Sequence, residues 1–259
     1  MEIIRDKNPL TNLLGPLSFY KKALAIALPV MGQLLIQNMV SLIDNFMVAG
    51  LGDIKMSGVN IAGQINFVFL VLINTICLSG GIFMSQYNGA KNPAGMQQVF
   101  RFKLFFATIA SLIYTTISIF FPRPFLALMV HGNIASEPII EEGVRYMRIL
   151  AFSWIPTVIA TSIGSSLREI GKVKPPLIIS VTATAVNTFF NWIFIYGNLG
   201  APRLETVGAA IATIIARVVE VTIFIIYICK TKPPFYFKII DFFKVKISLF
   251  FTILKKSAL

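Results

Sequence analysis

Hydrophobic and polar positions divide the chain into long apolar stretches separated by short polar, mostly basic segments. A helix needs about 20 predominantly apolar residues to cross the hydrocarbon core of a bilayer. Sustained alternation of apolar and polar residues, which is typical of half-buried strands, does not occur along the sequence. The pattern predicts six membrane-spanning helices, at residues 23–48, 59–87, 104–121, 146–166, 176–197 and 207–229. The second of these is predicted to be interrupted near Gly80-Gly81.

The predicted fold class is an all-α integral membrane protein, a bundle of six transmembrane helices. In lipid every backbone polar group needs an internal partner, and a helix provides these partners within one segment. Charged residues make up 13% of the chain, whereas soluble domains carry about 25%, so we expect lipid to cover part of the surface. The predicted regions are a cytoplasmic segment at 1–22, a transmembrane lobe at 23–229, and a cytoplasmic or interfacial amphipathic linker at 230–259.

Lysine and arginine residues lie mainly in alternate segments between the apolar stretches. Cytoplasmic loops of membrane proteins carry an excess of these residues. Both termini are therefore predicted to face the cytoplasm, in a multi-pass protein of the plasma membrane. The formal net charge of +12 needs no nucleic-acid partner on this interpretation. The basic side comprises Arg5, Lys7, Lys21, Lys22, Lys91, Arg101, Lys103, Arg168, Lys172, Lys174 and the tail after Tyr227, and the other side has Lys55, Arg123 and Arg203.

The carboxyl-terminal segment has an amphipathic pattern. Lys238, Asp241 and Lys244 recur at helical spacing, and aromatic and aliphatic residues fill the opposite face. Because these charges are too dense for a seventh span, the sequence predicts a helix that lies in the membrane interface.

Sequence motifs of soluble enzymes are absent. The chain contains no P-loop, no pattern of a nucleophile triad and no run of residues with metal-ligand spacing. Cys77 and Cys229 lie in apolar runs, where an unpaired cysteine behaves as a small hydrophobic residue. We therefore expect neither an enzyme nor a bound cofactor, and ATP-driven transport within this chain is disfavoured.

The first predicted span carries a polar stripe. Gln33, Gln37 and Asp44 are spaced by four and then seven residues, which places them on one face of a helix. A carboxylate at the bilayer centre costs about 2.5–3.5 kcal/mol on insertion scales, so such a stripe faces protein or a water-filled cavity. Asp44 is a candidate proton or Na⁺ site, and the glutamines are candidate substrate contacts. The less favoured interpretations of Asp44 are an interhelical hydrogen-bond partner and an interfacial residue.

Polar side chains also occur in later spans. Asn187 and Asn191 share one face of the fifth span and are candidates to join the carboxylate of the first. Amides in membrane helices also hydrogen-bond to neighbouring helices as part of packing. Thr161 belongs to a hydroxyl-rich face of the fourth span, which is a candidate cavity lining. Arg217 and Glu220, three residues apart in the sixth span, are predicted to form a structural ion pair.

Six short motifs give the chain a resemblance to a known family. With these stretches in view, the sequence resembles the amino-terminal half of the multidrug and toxic compound extrusion (MATE) family. The resemblance runs from about residue 20 to 230, with the motifs in family order. They are Leu28-Pro29, then Asp44 to Gly52 (DNFMVAGLG), Ser85 to Lys91 (SQYNGAK), Arg168 to Pro175 (REIGKVKP), Asn187 to Gly197, and Val207 to Thr213 (VGAAIAT).

The resemblance implies a secondary antiporter of two six-helix lobes, which exports bulky, often cationic organic compounds in exchange for Na⁺ or H⁺. Asp44 matches the acidic residue of the family's first helix, the coupling site of the amino-terminal lobe. Asn187 matches the asparagine of the fifth-helix motif, and Thr213 resembles the sixth-helix threonine that lines the same pocket. The coupling ion is the only bound species that the resemblance implies besides the substrate.

Two departures from the family pattern leave alternatives open. Asn191 stands where many members have an aspartate, which puts a proton relay between two acids in doubt. The chain also resembles one lobe only, so a second lobe or a homodimer partner is expected. The alternatives are a lobe that transports nothing without its second half, a flippase for lipid-linked oligosaccharides, and a receptor-like or scaffolding bundle.

Overall fold

The computed structural model describes residues 17–130 and 136–237, and these are almost entirely helical. No strand occurs within these two ranges, which confirms the all-α prediction. Short 3₁₀ turns at Ala151–Ser153 and Asn198–Gly200 connect neighbouring helices. The helices are α1 (Leu17–Ala49), α2 (Asp53–Gly89), α3 (Pro93–Phe120), α4 (Pro122–Met129), α5 (Ser136–Leu150), α6 (Trp154–Glu169), α7 (Lys174–Tyr196) and α8 (Glu205–Thr231).

Five helical segments in the described part of the chain are long and apolar enough to cross a membrane. They are Asp53–Gly89, Pro93–Phe120, Glu137–Glu169, Lys174–Tyr196 and Glu205–Thr231. The third of them joins α5 to α6 through the 3₁₀ turn. Large apolar side chains such as Phe46, Leu78 and Ile178 are exposed on the outside of the bundle, as lipid contact requires. The architecture is therefore that of a multi-pass membrane protein.

Helix α1, which has 33 residues, contains the first predicted span. Several of its side chains, including those of Gln33 and Gln37, are not among those that the structure describes. The predicted interfacial helix after Lys238 and most of the amino-terminal segment also lie outside the described residues.

Most helices begin or end beyond the apolar stretches that predicted them. Helix α3 begins at Pro93, eleven residues before the predicted span, because Asn92 accepts a hydrogen bond at 3.0 Å from the backbone N–H of Gly95. Proline at the first helical position is compatible with this start because its absent N–H has no helical partner there. Hydropathy thus located the membrane-crossing cores, and capping residues locate the helix ends.

The predicted interruption of the second span is wrong. Helix α2 runs unbroken from Asp53 to Gly89, with Gly80 and Gly81 inside it. The two glycines admit side chains from neighbouring helices, since a Cβ on Gly80 would lie 2.8 Å from Lys103 Cε and one on Gly81 would collide with the Glu169 carboxylate. Glycine costs about 1 kcal/mol in a helix, and here close packing accounts for its presence.

A buried ion pair joins α3 to α6 opposite these glycines. The ammonium group of Lys103, whose side chain is fully buried, pairs with the carboxylate of Glu169. It also donates hydrogen bonds to the hydroxyls of Ser165 and Ser166, each at 3.4 Å. The sequence pattern placed Lys103 in a solvated basic segment, and the structure corrects this: it lies inside the bundle.

Helices α7 and α8 pack backbone against backbone at Gly208. A Cβ at this position would lie 2.6 Å from the carbonyl carbon and the oxygen of Phe194. A close backbone approach of this kind is typical of membrane helix pairs with small residues at the interface. It holds the polar faces of α7 and α8 side by side.

We expect Gly208→Ala to destabilise the protein, because backbone atoms of Phe194 cannot move aside as a flexible side chain would. Overpacking of this kind costs about 1–3 kcal/mol. The matched control is Gly63→Ala in α2, where an added Cβ meets nothing within 4 Å and alanine favours the helix. Thermal unfolding of the purified protein in detergent measures both, and an equal melting temperature for the two variants would contradict the packing argument.

Candidate functional site

A polar cavity of about 510 Å³ lies between helices α1, α2, α6, α7 and α8. Sites for drug-sized ligands have volumes of about 300–1,000 Å³. The polar lining of this cavity comprises Asn38 and Asp44 of α1, Asn74 of α2, Thr157, Thr161 and Arg168 of α6, Ser180, Thr184 and Asn187 of α7, and Thr213, Arg217 and Glu220 of α8.

One end of the cavity is built around the carboxylate of Asp44. The Nδ2 group of Asn191 donates a hydrogen bond to Asp44 Oδ1 at 2.7 Å and lies 3.4 Å from Asn187 Oδ1. Asn187 Nδ2 in turn donates to the Thr213 hydroxyl at 3.3 Å, and that hydroxyl donates to the backbone oxygen of Ala209 at 3.0 Å. A single hydrogen-bonded chain therefore connects α1, α7 and α8.

The geometry of α7 explains why both asparagines reach this chain. Asn187 and Asn191 are four residues apart, so they project from neighbouring turns of one face. Both side chains are buried, and the Oδ1 atom of Asn191 has no hydrogen-bond partner among the described residues. The structure thus brings together Asp44, Asn187, Asn191 and Thr213, the four residues that the sequence singled out for ion coupling.

The oxygen atoms at this end suit a small hard cation. Carboxylate and amide oxygens are ligands that such cations prefer, and the buried Asn191 Oδ1 offers one lone-pair site that the described part of the chain does not use. A protonated Asp44 would instead donate a hydrogen bond to one of the same oxygens. The arrangement is compatible with Na⁺ or with H⁺.

The structure describes the side chain of only one of the three candidate substrate contacts. Thr161 of α6 lines the cavity, together with Thr157 one turn earlier. The side chains of Gln33 and Gln37 fall outside those that the structure describes. Their role stays a prediction.

A second set of charged groups lines the cavity, beginning one turn along α8 from Thr213. Arg217 Nη1 donates to Glu220 Oε2 at 2.6 Å, which confirms the predicted ion pair, and Ser180 Oγ donates to Glu220 Oε1 at 3.1 Å. Glu220 is buried. The sequence indicated this pair but not that both partners line the cavity, because that depends on how α8 is rotated against its neighbours.

Arg168 is a cavity residue, although the charge pattern of the sequence predicts it in a basic loop. It lies in the last turn of α6 and lines the cavity with Thr157, Thr161 and Gly164. These positions are spaced by four, three and four residues, so they form one helical face. That periodicity is the signal by which Arg168 could have been recognised.

The fold and this cavity define a multi-pass membrane protein whose helix bundle encloses polar groups, as secondary transporters do at their binding sites. The sequence profile of the MatE family matches residues 29–193. The chain belongs to the MatE family.

Known proteins agree with this assignment. The chain is 27% identical over 196 residues to a probable multidrug resistance protein NorM of Bacillus anthracis, covering 76% of this chain and 42% of that protein. It is 25% identical over 230 residues to the multidrug resistance protein NorM of Vibrio cholerae, covering 86% and 49%. The chain thus spans about half the length of these relatives.

Solved structures show the same fold. A MATE transporter crystallised in complex with MaL6 superposes with a TM-score of 0.77 at 20% identity, over 90% of this chain and 50% of that one. The outward-facing conformation of a multidrug resistance MATE transporter of the MOP superfamily gives a TM-score of 0.74 at 20% identity, over 86% and 48%. The fold of the described residues is therefore that of one lobe of a MATE transporter.

Proposed function

We propose that the chain acts as the amino-terminal half of a multidrug efflux transporter, which exports small organic, often cationic compounds in exchange for Na⁺ or H⁺. The relatives support efflux by their description as multidrug resistance proteins. The observation that carries the proposal is the Asp44 carboxylate, held by Asn191 at 2.7 Å within a polar cavity between membrane-crossing helices. This carboxylate offers one negative charge, which either the coupling ion or an organic cation can bind.

Coupling follows from competition for this one charge. In a medium of low dielectric constant, a carboxylate stabilises one neighbouring positive charge strongly and gains little from a second. Asp44 would alternate between a protonated or Na⁺-bound form and an ionised form that binds an organic cation. Asn187, Asn191 and Thr213 would supply oxygen atoms to the coupling ion. Because Asn191 adds no second carboxylate, Asp44 would carry the exchange alone.

The free energy for export would come from an ion gradient. One elementary charge that crosses 100 mV is worth about 2.3 kcal/mol. No group of the cavity needs to break a bond in the transported compound, so the proposed activity is transport without catalysis. On the substrate side, Thr161 would contact the compound within the cavity, and Gln33 and Gln37 of α1 remain the further proposed contacts.

The proposed partners are the lipid bilayer, the organic substrates, and either a second lobe or another copy of this chain. A second lobe is the natural complement of a chain that spans about half of its relatives. We place the protein in the plasma membrane with both termini in the cytoplasm, on the distribution of lysine and arginine among its loops. Nucleic acid is not a proposed partner.

Ethidium efflux tests the proposal. Cells that lack their own efflux pumps would express this chain alone or with the carboxyl-terminal lobe of a MatE relative. We expect ethidium export in at least one of these cases, and we expect it to stop when the Na⁺ and proton gradients are collapsed. Export only with the second lobe would identify this chain as a half that needs its complement. No export from either, with membrane insertion verified, would contradict the proposal.

A further inference from the structure

The short helix α4 lies beside the membrane-crossing helices but is not long enough to cross. Its span, Pro122–Met129, has eight residues, which extend over about 12 Å, whereas the hydrocarbon core of a bilayer is about 30 Å thick. Helix α4 packs mainly against α5, with further contacts to α2 and α3. None of its eight residues lines the cavity. Helix α4 therefore takes no direct part in the transport site.

Two faces of α4 differ in burial. Leu126 is 1% exposed and packs with three apolar side chains of α5, those of Ile139, Ile140 and Met147. Leu128, two residues further along, is 72% exposed. The first face fastens α4 to α5, and the second is left uncovered by the described part of the chain.

The uncovered face of α4 is apolar along its whole length. Its exposed side chains are those of Phe121, Phe125, Leu128 and Met129. Their spacing of four, three and one residues places them on one side of a helix. Ile113 and Phe120, seven residues apart in α3 and both exposed, extend this apolar surface along a helix that crosses the membrane. A contiguous apolar surface of this kind marks contact with a partner or with a membrane, and its continuity with a lipid-facing helix favours lipid.

Exposed arginines indicate the level of α4 relative to the bilayer. Arg148 of α5 donates a hydrogen bond from Nε at 3.2 Å to the backbone oxygen of Ile119, one residue before α3 ends. A charged side chain near the end of a spanning helix reaches towards the headgroups, since the hydrocarbon centre is costly for it. Arg123 of α4 is also exposed and pairs with Glu137 in the first turn of α5. Helix α4, which begins three residues after Ile119, therefore lies at the level where lipid tails meet water.

We propose that α4 is an interfacial anchor: the face that carries Phe125 and Leu128 inserts among the phospholipids at the boundary where α3 ends, and Arg123 and Arg148 lie among the lipid headgroups. Interfacial helices have basic residues on the polar face and Phe or Leu on the other, and the apolar face lies about 5–10 Å into the boundary between headgroups and acyl chains. Because Leu126 fastens α4 to α5, this insertion fixes the depth of the first turns of α5 in the membrane. The anchor does not depend on which compound the cavity transports.

Spin labels on α4 measure its depth. Phe125→Cys and Leu128→Cys would be made separately in a background without the native cysteines, Cys77→Ala/Cys229→Ser, and reconstituted in phosphatidylcholine vesicles. Oxygen concentrates in lipid and a nickel chelate stays in water, so the collision rates of a label with the two reagents give its depth. We expect both labels to lie about 5–10 Å below the headgroup boundary. The second position keeps the test open if one variant fails to fold.

Leu78→Cys and Glu141→Cys in the same background are the matched references. Leu78 is exposed inside α2, a helix that crosses the membrane, so its label should report hydrocarbon. Glu141 is exposed on α5, one turn from the residue that pairs with Arg123, so its label should report water. A clear difference between these two labels also shows that the background is folded and inserted.

Each other result would overturn the anchor. Labels on α4 that meet the nickel chelate as often as the Glu141→Cys label would place this helix in water. Labels as deep as the Leu78→Cys label would place it in the hydrocarbon core, below the interface. Labels shielded from both reagents would mean that protein covers this face, and spin–spin broadening that disappears on dilution with unlabelled protein would identify that protein as a second copy of the chain.

Discussion

Ethidium export is expected to fall to the background level when Asp44 is replaced by asparagine. The substitution keeps the shape of the side chain. It also keeps an oxygen that can accept the hydrogen bond from Asn191, whose Nδ2 atom lies 2.7 Å from Asp44 Oδ1 in the wild type. It removes the negative charge that the coupling ion and the organic cation are proposed to share. An uncharged amide cannot exchange a proton, and it holds a cation far more weakly than a carboxylate does. The measurement is the rate of ethidium efflux from cells without their own pumps, in whichever form the wild-type chain is active.

Asp53→Asn is the matched control for this experiment. Asp53 is the first residue of α2, is exposed, and does not line the cavity. Its replacement by asparagine is therefore the same chemical change outside the cavity. We expect efflux close to that of the wild type from this variant. Equal export by the Asp44→Asn variant and the wild type, at equal amounts in the membrane, would remove Asp44 from the coupling mechanism.

Glu169→Gln is expected to destabilise the protein by about 3–5 kcal/mol, the cost of leaving one partner of a buried ion pair without the other. Lys103 is fully buried, and its ammonium would keep uncharged acceptors in place of the carboxylate: the new amide oxygen and the Ser165 and Ser166 hydroxyls, each hydroxyl at 3.4 Å. Because the pair joins α3 to α6 against α2, its loss should loosen three helices together. Thermal unfolding in detergent would show a large decrease in melting temperature.

Two further variants test whether the burial of the Lys103–Glu169 pair accounts for this loss of stability. Glu137→Gln removes an acid from the Arg123 pair, whose side chains are about 60% exposed, and an exposed pair contributes about 0–1 kcal/mol. The double variant Lys103→Met/Glu169→Leu removes both buried charges and should recover much of the stability. A Glu169→Gln protein as stable as the Glu137→Gln protein would contradict the account of this pair.

The long helices could be predicted because lipid imposes a simple requirement on sequence. Apolar stretches of sufficient length located the cores of α2, α3, α7 and α8, and the stretch at 146–166 located α6. Hydropathy could not locate the start of α3, which is set by the Asn92 cap.

The position of side chains inside the bundle was predictable only where a helical spacing or a family motif identified them. Asn187 and Asn191 share a face by their spacing, and the resemblance supplied Thr213. Lys103 was assigned to a solvated segment because it lies just before the apolar stretch at 104–121 and close to Arg101, whereas Gly80 of α2 leaves the space that buries it. Contacts between distant helices of this kind are set by three-dimensional packing and leave little trace in local sequence.

Competition between ethidium and the coupling ion on the purified chain tests the central claim most directly, since it needs neither a gradient nor a second lobe. Ethidium anisotropy would be followed while Na⁺ replaces choline at constant ionic strength, and separately while the pH is lowered. The account predicts that at least one of the two ions releases ethidium from the wild-type chain, and that any ethidium bound by Asp44→Asn does not respond. Ethidium that stays bound to the wild type in both titrations, or equal release from the variant, would contradict an exchange of cations at Asp44.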